Sequence, residues 1–217
     1  MQLIAKQYYT PEEYLELEAT AEYKSEYIDG QIIPMAGASI NHNRITGNFY
    51  ATLNFAFRQQ GKYEVFNSDM RLWIPQKLIY TYLDVIIIAD EPEFFNNRTD
   101  TITNPQVIIE VLSKSTKSYD REDKFAAYRT IPTFQEYLLI DQNRIHVEQF
   151  FKTGKKRWTL CEYDAEDGNI SLETIPFEIS LQDLYNKVKF ELVPAETEKN
   201  GSEETGNGQQ GTGKTHV

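Results

Sequence analysis

Two short β-branched runs limit what this chain can fold into more than any other feature: Val85-Ile86-Ile87-Ile88, and Val107 to Val111. Near-continuous apolar runs of this length are strands covered on both faces, as in a sheet flanked by helices. Each run carries one carboxylate. Asp84 opens the first and Glu110 interrupts the second. A carboxylate in a core strand has to be paired, hydrogen-bonded or bound to a metal, because burying it bare costs several kcal/mol or more. The pair, with the helix that follows it, is the candidate site.

The second run passes through Ser113-Lys114-Ser115-Thr116, hydroxyls suited to a turn and a cap, into a helix expected over Ser118 to Thr130. Asp120, Lys124 and Tyr128 recur at spacing four in it and therefore share one face. A strand that delivers a carboxylate and a following helix that delivers an ammonium to the same point can polarise and attack a phosphodiester with the help of a divalent ion.

The rest of the chain supplies the frame. Thr10-Pro11-Glu12-Glu13 is a capping box with proline at the first helical position, so a helix is expected from Pro11 to about Ala19. Asp29-Gly30 between Glu26-Tyr27-Ile28 and Gln31-Ile32-Ile33 is a tight hairpin turn. Glu26, on its first arm, reads by itself as an exposed strand residue. Ser39 or Asn41 caps a helix expected from His42 to Gln60, with Ile45, Phe49, Leu53 and Phe57 on one stripe and Gly61 as its stop. His42 in the first turn is favoured as a neutral imidazole that can meet a substrate, or it is a surface cap residue. Strands are expected within Lys62 to Ile74, at Glu136 to Asp141, Ile145 to Phe151 and Arg157 to Tyr163, and within Ile170 to Phe177. Ser180 caps a short closing helix to about Val188. A single crossover helix between Glu110 and Glu136 makes this a mixed α/β (α+β) domain: a central mixed sheet flanked by helices, with a later β-hairpin extension.

Composition sets the outer limits. One cysteine, Cys161, rules out a disulfide framework or a cysteine metal site within one chain. No apolar run approaches the ~18 residues of a membrane helix, so a cytoplasmic protein without membrane contact is expected. The formal net charge is −11; residues 191–217 hold five acidic and two basic residues (−3), leaving −8 on the body. An acidic body weighs against tight, sequence-independent nucleic-acid binding without excluding an enzyme that meets phosphates locally. Lys114, Lys117, Arg121, Lys124 and Arg129 form a basic cluster, and Lys152 to Arg157 a second; either can be a solvated face. Residues 1–193 are expected to form the domain and 194–217 a disordered tail, since apolar residues almost vanish there. Within that tail, Gly208 to Thr215 matches the GxxxxGK[ST] phosphate-loop pattern. It lacks the preceding strand and the following helix that the motif needs, and nucleotide binding is not expected.

Tyr27-Ile28-Asp29-Gly30 with Met35 to His42, Tyr82-Leu83-Asp84 leading into the first apolar run, Pro105 to Ser113, Asp120 with Lys124 ahead of Tyr128, and Glu136 to Asp141 together resemble the PD-(D/E)XK nuclease superfamily. Within it they resemble a large restriction-endonuclease family abundant in cyanobacteria. The resemblance covers most of residues 8 to 190. It implies a restriction-endonuclease-like core and a DNA endonuclease using Mg²⁺, with Mn²⁺ as an alternative. It implies that Asp84 and Glu110 hold the ion, that Glu26 adds a carboxylate and that Lys124 replaces the usual strand lysine. His42, Asp120, Lys117 and Arg121 are assigned to the substrate side, and a homodimer would address two strands. Two departures stand out: Leu83 replaces the name-giving proline, and Leu112 stands two residues after Glu110 where lysine is usual. Two other readings fit the acidic body, a non-catalytic nucleic-acid or protein-binding module and a metal hydrolase of small phosphate esters.

Overall fold

The computed structural model describes residues 7–113 and 117–190. Thr10 closes the expected capping box, its side chain accepting from the Glu13 N–H while Glu13 answers to the Thr10 N–H, and starts α1 (Pro11–Glu18). The hairpin β1 (Ser25–Ile28) and β2 (Gln31–Pro34) turns at Asp29 and Gly30, both at positive φ (43° and 85°), the pair of left-handed residues that a two-residue turn matched to strand twist requires. Ser39 caps α2 (Ile40–Phe57) by accepting from the His42 N–H. The helix ends three residues before the expected Gln60, with Arg58 rather than Gly61 at its close. Its stripe of Ile45, Phe49, Leu53 and Phe57 is buried, each side chain contributing about 2 kcal/mol by leaving water.

The expected strand region Lys62 to Ile74 divides between two sheets: β3 (Tyr63–Asn67) and β4 (Arg71–Ile74). A 3₁₀ turn (Pro75–Lys77) leads to β5 (Ile79–Tyr82), β6 (Val85–Ala89), the two-residue β7 (Thr101–Ile102) and β8 (Val107–Leu112). The crossover follows as α3 (Lys117–Tyr119), a π turn (Asp120–Lys124) and α4 (Phe125–Tyr128). The expected cap at Ser115 and Thr116 lies outside the described residues. Next come β9 (Glu136–Asp141), β10 (His146–Gly154) and β11 (Arg157–Asp164). The single strand expected within 170–177 is instead a small hairpin, β12 (Asn169–Ser171) with β13 (Glu178–Ser180), and the closing helix α5 (Leu181–Leu184) is one turn.

One sheet has the order β11-β10-β9-β8-β6-β3 and the other β2-β1-β5-β4-β7. In the six-stranded sheet β8 and β9 run parallel, joined by the crossover helix, while its other neighbours are antiparallel. Alternation divides its core. Val85, Ile87, Val107, Ile109 and Val111 pack under α2, whereas Ile86, Ile88, Ile108 and Leu112 pack against Tyr128, Tyr137 and the five-stranded sheet. Glu110 belongs by parity to the second face, the one the crossover helix covers. A cluster of Tyr14, Tyr27, Trp73 and Tyr80 fixes α1 to the five-stranded sheet. No helix among the described residues is long and apolar enough to cross a membrane.

Candidate active site

Register brings the two strand carboxylates together. Val85 pairs with Ile109 in the antiparallel β6–β8 ladder. Continuing by one residue sets Asp84 opposite Glu110. Asp84 has left the ladder, and its Oδ2 accepts the Val111 N–H at 2.7 Å, which ties the carboxylate across the strand end. His42, in the first turn of α2, approaches the same oxygen with Nε2 at 3.2 Å.

Glu110 is buried beneath the crossover helix. Its Oε1 accepts from Lys124 Nζ at 3.1 Å and from Tyr128 Oη at 2.9 Å, so two residues four apart on one helix converge on one oxygen. Lys124 also lies 3.3 Å from Asp120 Oδ1 and 3.6 Å from Glu26 Oε1. Glu26 comes from the other sheet, where the Thr81 hydroxyl donates to its Oε1. The ammonium therefore sits where the two sheets and the helix meet. Asp84, Glu110, Glu26, Asp120, Lys124 and His42 all line one cleft of about 780 Å³.

Electrostatics follow from that geometry. Burial pushes the Glu110 carboxyl up to about 8; Lys124 opposes the shift, and Asp120 and Asp84 add to it. Burial works against the Lys124 charge, yet Glu110, Glu26 and Asp120 together hold it well above the ordinary lysine value. Burial, reinforced by Glu110, raises Tyr128, so it stays a neutral phenol and a donor. Three carboxyl groups thus meet a single ammonium, and a fourth, Asp84, shares the cleft with them. That surplus of oxygen ligands fits a divalent cation such as Mg²⁺, which binds through one or two carboxylates and keeps several waters.

Arg121 does not line the cleft: its guanidinium is held on the other side of the helix by both oxygens of Glu148. Lys117 begins α3, and its side chain lies outside the described ones. Among the described residues, the set of three histidine or carboxylate ligand atoms lying within 4.8 Å of one another is His146, Glu148 and Glu162, beside Arg121 and not in the cleft. In the cleft the Lys124 ammonium stands among Glu110, Asp120 and Glu26.

A model of the Uma2 family, described as "Putative restriction endonuclease", matches residues 11–183. The chain belongs to the Uma2 family. It is 49% identical over 161 residues to "Uncharacterized protein sll1609" of Synechocystis sp., covering 74% of this chain and 90% of that protein. It is 34% identical over 181 residues to "Uncharacterized protein slr1290" of the same organism, covering 83% and 93%. Its fold matches a crystal structure from Anabaena variabilis, described as "a putative nuclease belonging to DUF820", with a TM-score of 0.67 at 20% identity, over 82% of this chain and 97% of that one. The restriction-endonuclease-like architecture read from the motifs is therefore that of this Uma2 chain.

Two contributors escape the sequence. Thr81 holds Glu26 through a pairing of β1 with β5 that no local pattern announces, since the strands are 50 residues apart in the chain. The Gln142 side chain donates to the Leu112 carbonyl at 2.7 Å and meets the Ser39 hydroxyl, joining the end of β8 to the α2 cap beside His42. Tyr128, by contrast, is visible as the third member of the spacing-four series.

Proposed function

We propose that this Uma2 chain is a metal-dependent deoxyribonuclease that hydrolyses DNA phosphodiesters in the cleft. The observation that carries the reading is the gathering of Asp84, Glu110 and Lys124 in one cleft from three separate elements. A divalent ion held by Asp84 and Glu110 would supply Lewis-acid polarisation of the phosphate and an acidified water. The chain's own residues do the rest. Val111 N–H and His42 hold Asp84 by Oδ2. Tyr128 holds Glu110 by Oε1. Lys124 places a fixed positive charge beside that centre, where it offsets the charge that develops on the phosphate as a water attacks. His42 is better placed to orient Asp84 than to grip the substrate. Lys124 thereby takes from the helix the place that Leu112 leaves empty on the strand.

The test is cleavage of supercoiled plasmid, linear duplex and single-stranded DNA by purified protein in Mg²⁺ and in Mn²⁺, with D84A as the contamination control. Metal-dependent cleavage that D84A lacks is expected. Equal cleavage by both proteins, or none by the wild type on any DNA while it binds DNA, turns the reading to a binding module that keeps the fold. A homodimer is part of the same proposal, since two sites related by a two-fold would cut both strands. Sedimentation at the assay concentration checks it, and a monomer making double-strand cuts would remove it.

A further inference from the structure

The metal reading leaves Glu26 and Asp120 unexplained, because neither is needed to hold an ion at Asp84 and Glu110. Both point at Lys124 instead. Three carboxylate oxygens, Glu110 Oε1 at 3.1 Å, Asp120 Oδ1 at 3.3 Å and Glu26 Oε1 at 3.6 Å, surround its nitrogen, each contributed by a different element. Lys124 itself is almost wholly buried, 8% exposed. We propose that Glu26, Glu110 and Asp120 form a cation site that the Lys124 ammonium permanently fills, so that the native centre takes one divalent ion and the lysine stands in for a second. The inference rests on the metal reading of Asp84 and Glu110 for its first ion only.

Asp120 supplies an independent observation. It is 3% exposed, and among the described residues its Oδ1 has no hydrogen-bond donor, since the ammonium is within ion-pair range but not aligned as a hydrogen bond. The fold treats a purely structural buried carboxylate differently. Glu136, fully buried on β9, accepts from the Glu173 and Thr174 N–H groups, the Thr174 hydroxyl and the Gln149 amide. A buried carboxylate oxygen given no N–H or O–H donor needs a counter-charge as its partner, and here that counter-charge is the Lys124 ammonium. The π turn over Asp120–Lys124 belongs to the same device, since local widening of a helix at such a point re-aims side chains and recurs at functional sites.

The geometry also predicts what happens when the lysine is cut back. Removing the ammonium leaves three acidic oxygens about one centre, and a metal ion draws oxygen ligands in to about 2.0–2.6 Å. Each oxygen therefore closes by roughly 1 Å, a movement within the reach of a Glu or Asp side chain. Truncation should convert a one-ion centre into a two-ion centre.

The test counts Mn²⁺ bound per full-length chain, from the electron paramagnetic resonance signal of the free ion, with thermal melting to confirm folding. Wild type should saturate at one ion, D84N should lose it, K124A should saturate at two and K124A/D120N should return to one. If K124A does not fold, K124S, whose hydroxyl offers a hydrogen bond inside the cage, replaces it. Wild type saturating at two, which requires no variant to fold, overturns the proposal, as does one ion in both wild type and a folded K124A. No ion in wild type but one in K124A, lost again in K124A/D120N, upholds the cage and sinks the metal reading of Asp84. No ion in any of them sinks both.

Discussion

The crossover helix hands two of its cations, Arg121 and Lys124, three residues apart, to two different carboxylate clusters. On one side Arg121 meets Glu148, with His146 Nε2 at 3.4 Å from Glu148 and 3.6 Å from Glu162. On the other, Lys124 meets Glu110, Asp120 and Glu26. Distances between ligand atoms alone would favour the first as the metal site. Charge balance favours the second. A planar guanidinium satisfies both oxygens of one carboxylate in a fork, so Glu148 is already fully engaged; its pKa falls despite the opposing pull of burial, because the Arg121 hydrogen bond and charge outweigh it. One ammonium cannot satisfy three carboxylates, and Asp84 lies beyond its contacts altogether. The first cluster is closed, and the second has negative charge left over for a cation. A cation's shape, rather than the number of acids around it, separates a structural pair from a site.

The largest expected effect separates the clusters by activity. D84N and E110Q should each lower metal-dependent DNA cleavage by about 1,000-fold or more, the scale of losing an electrostatic centre. H146N/E162Q, which dismantles the other cluster without touching the Arg121–Glu148 fork, should stay within about threefold of wild type. A larger loss in H146N/E162Q than in D84N would reverse the assignment. K124M comes next. Methionine keeps much of the packing of the stem and removes the charge, so cleavage should fall by about 100-fold while the Mg²⁺-induced rise in melting midpoint persists. Comparable cleavage by K124M and wild type would remove the helix lysine from the chemistry.

Much of this contrast is legible in the amino-acid sequence. Asp84 and Glu110 stand out because a carboxylate in a β-branched run needs a partner, and Lys124 and Tyr128 because spacing four repeats a helix face. The frame is legible for the same reason: hairpin turn, capping boxes and apolar stripes are local. The fates of Glu26 and Arg121 are not local. Glu26 reads as exposed because its covering partners, Thr81 and Lys124, arrive from β5 and from the helix nearly 100 residues later. Arg121 reads as available to phosphate because nothing near it in the chain announces Glu148 on β10. The π turn is equally hidden, since Asp120 to Lys124 has the composition of ordinary α-helix.

A stability measurement sharpens the comparison further. E148A leaves the Arg121 guanidinium without its fork in a half-buried place, and should cost about 2 kcal/mol, lowering the metal-free melting midpoint by about 4–8 °C. D120N removes one of several like charges crowded around Lys124. It should leave that midpoint within about 2 °C of wild type or above it, because relief of repulsion offsets the lost ion pair. If D120N proved as damaging as E148A, the cleft would be as closed a structural network as the fork.

The last comparison is in pH. Glu110, raised to about 8 from an ordinary 4.5 chiefly by burial, keeps its proton in the metal-free folded chain at pH values where the unfolded chain has lost it. Below about 4.5 both states are protonated and the full contribution to stability is present. Between 4.5 and 8 unfolding releases this proton, so stability falls as pH rises, and above about 8 the contribution is gone. Glu148 behaves oppositely: its lowered pKa contributes stability that is present above the ordinary carboxylate value and lost only as pH falls through its folded value. From pH 5.5 to 8.5, then, Glu148 stays constant while Glu110 does not. The melting midpoint of metal-free wild type should decline relative to E110Q across that interval, since glutamine carries no titrating proton. E148Q should show the wild-type decline. Mg²⁺ held at Glu110 as proposed would displace its proton, so the stabilising shift should grow with pH over the same interval in wild type and E148Q and be nearly absent in E110Q. Parallel pH curves for wild type and E110Q would mean that Glu110 is already ionised beneath Lys124, and that the cleft is balanced without a metal.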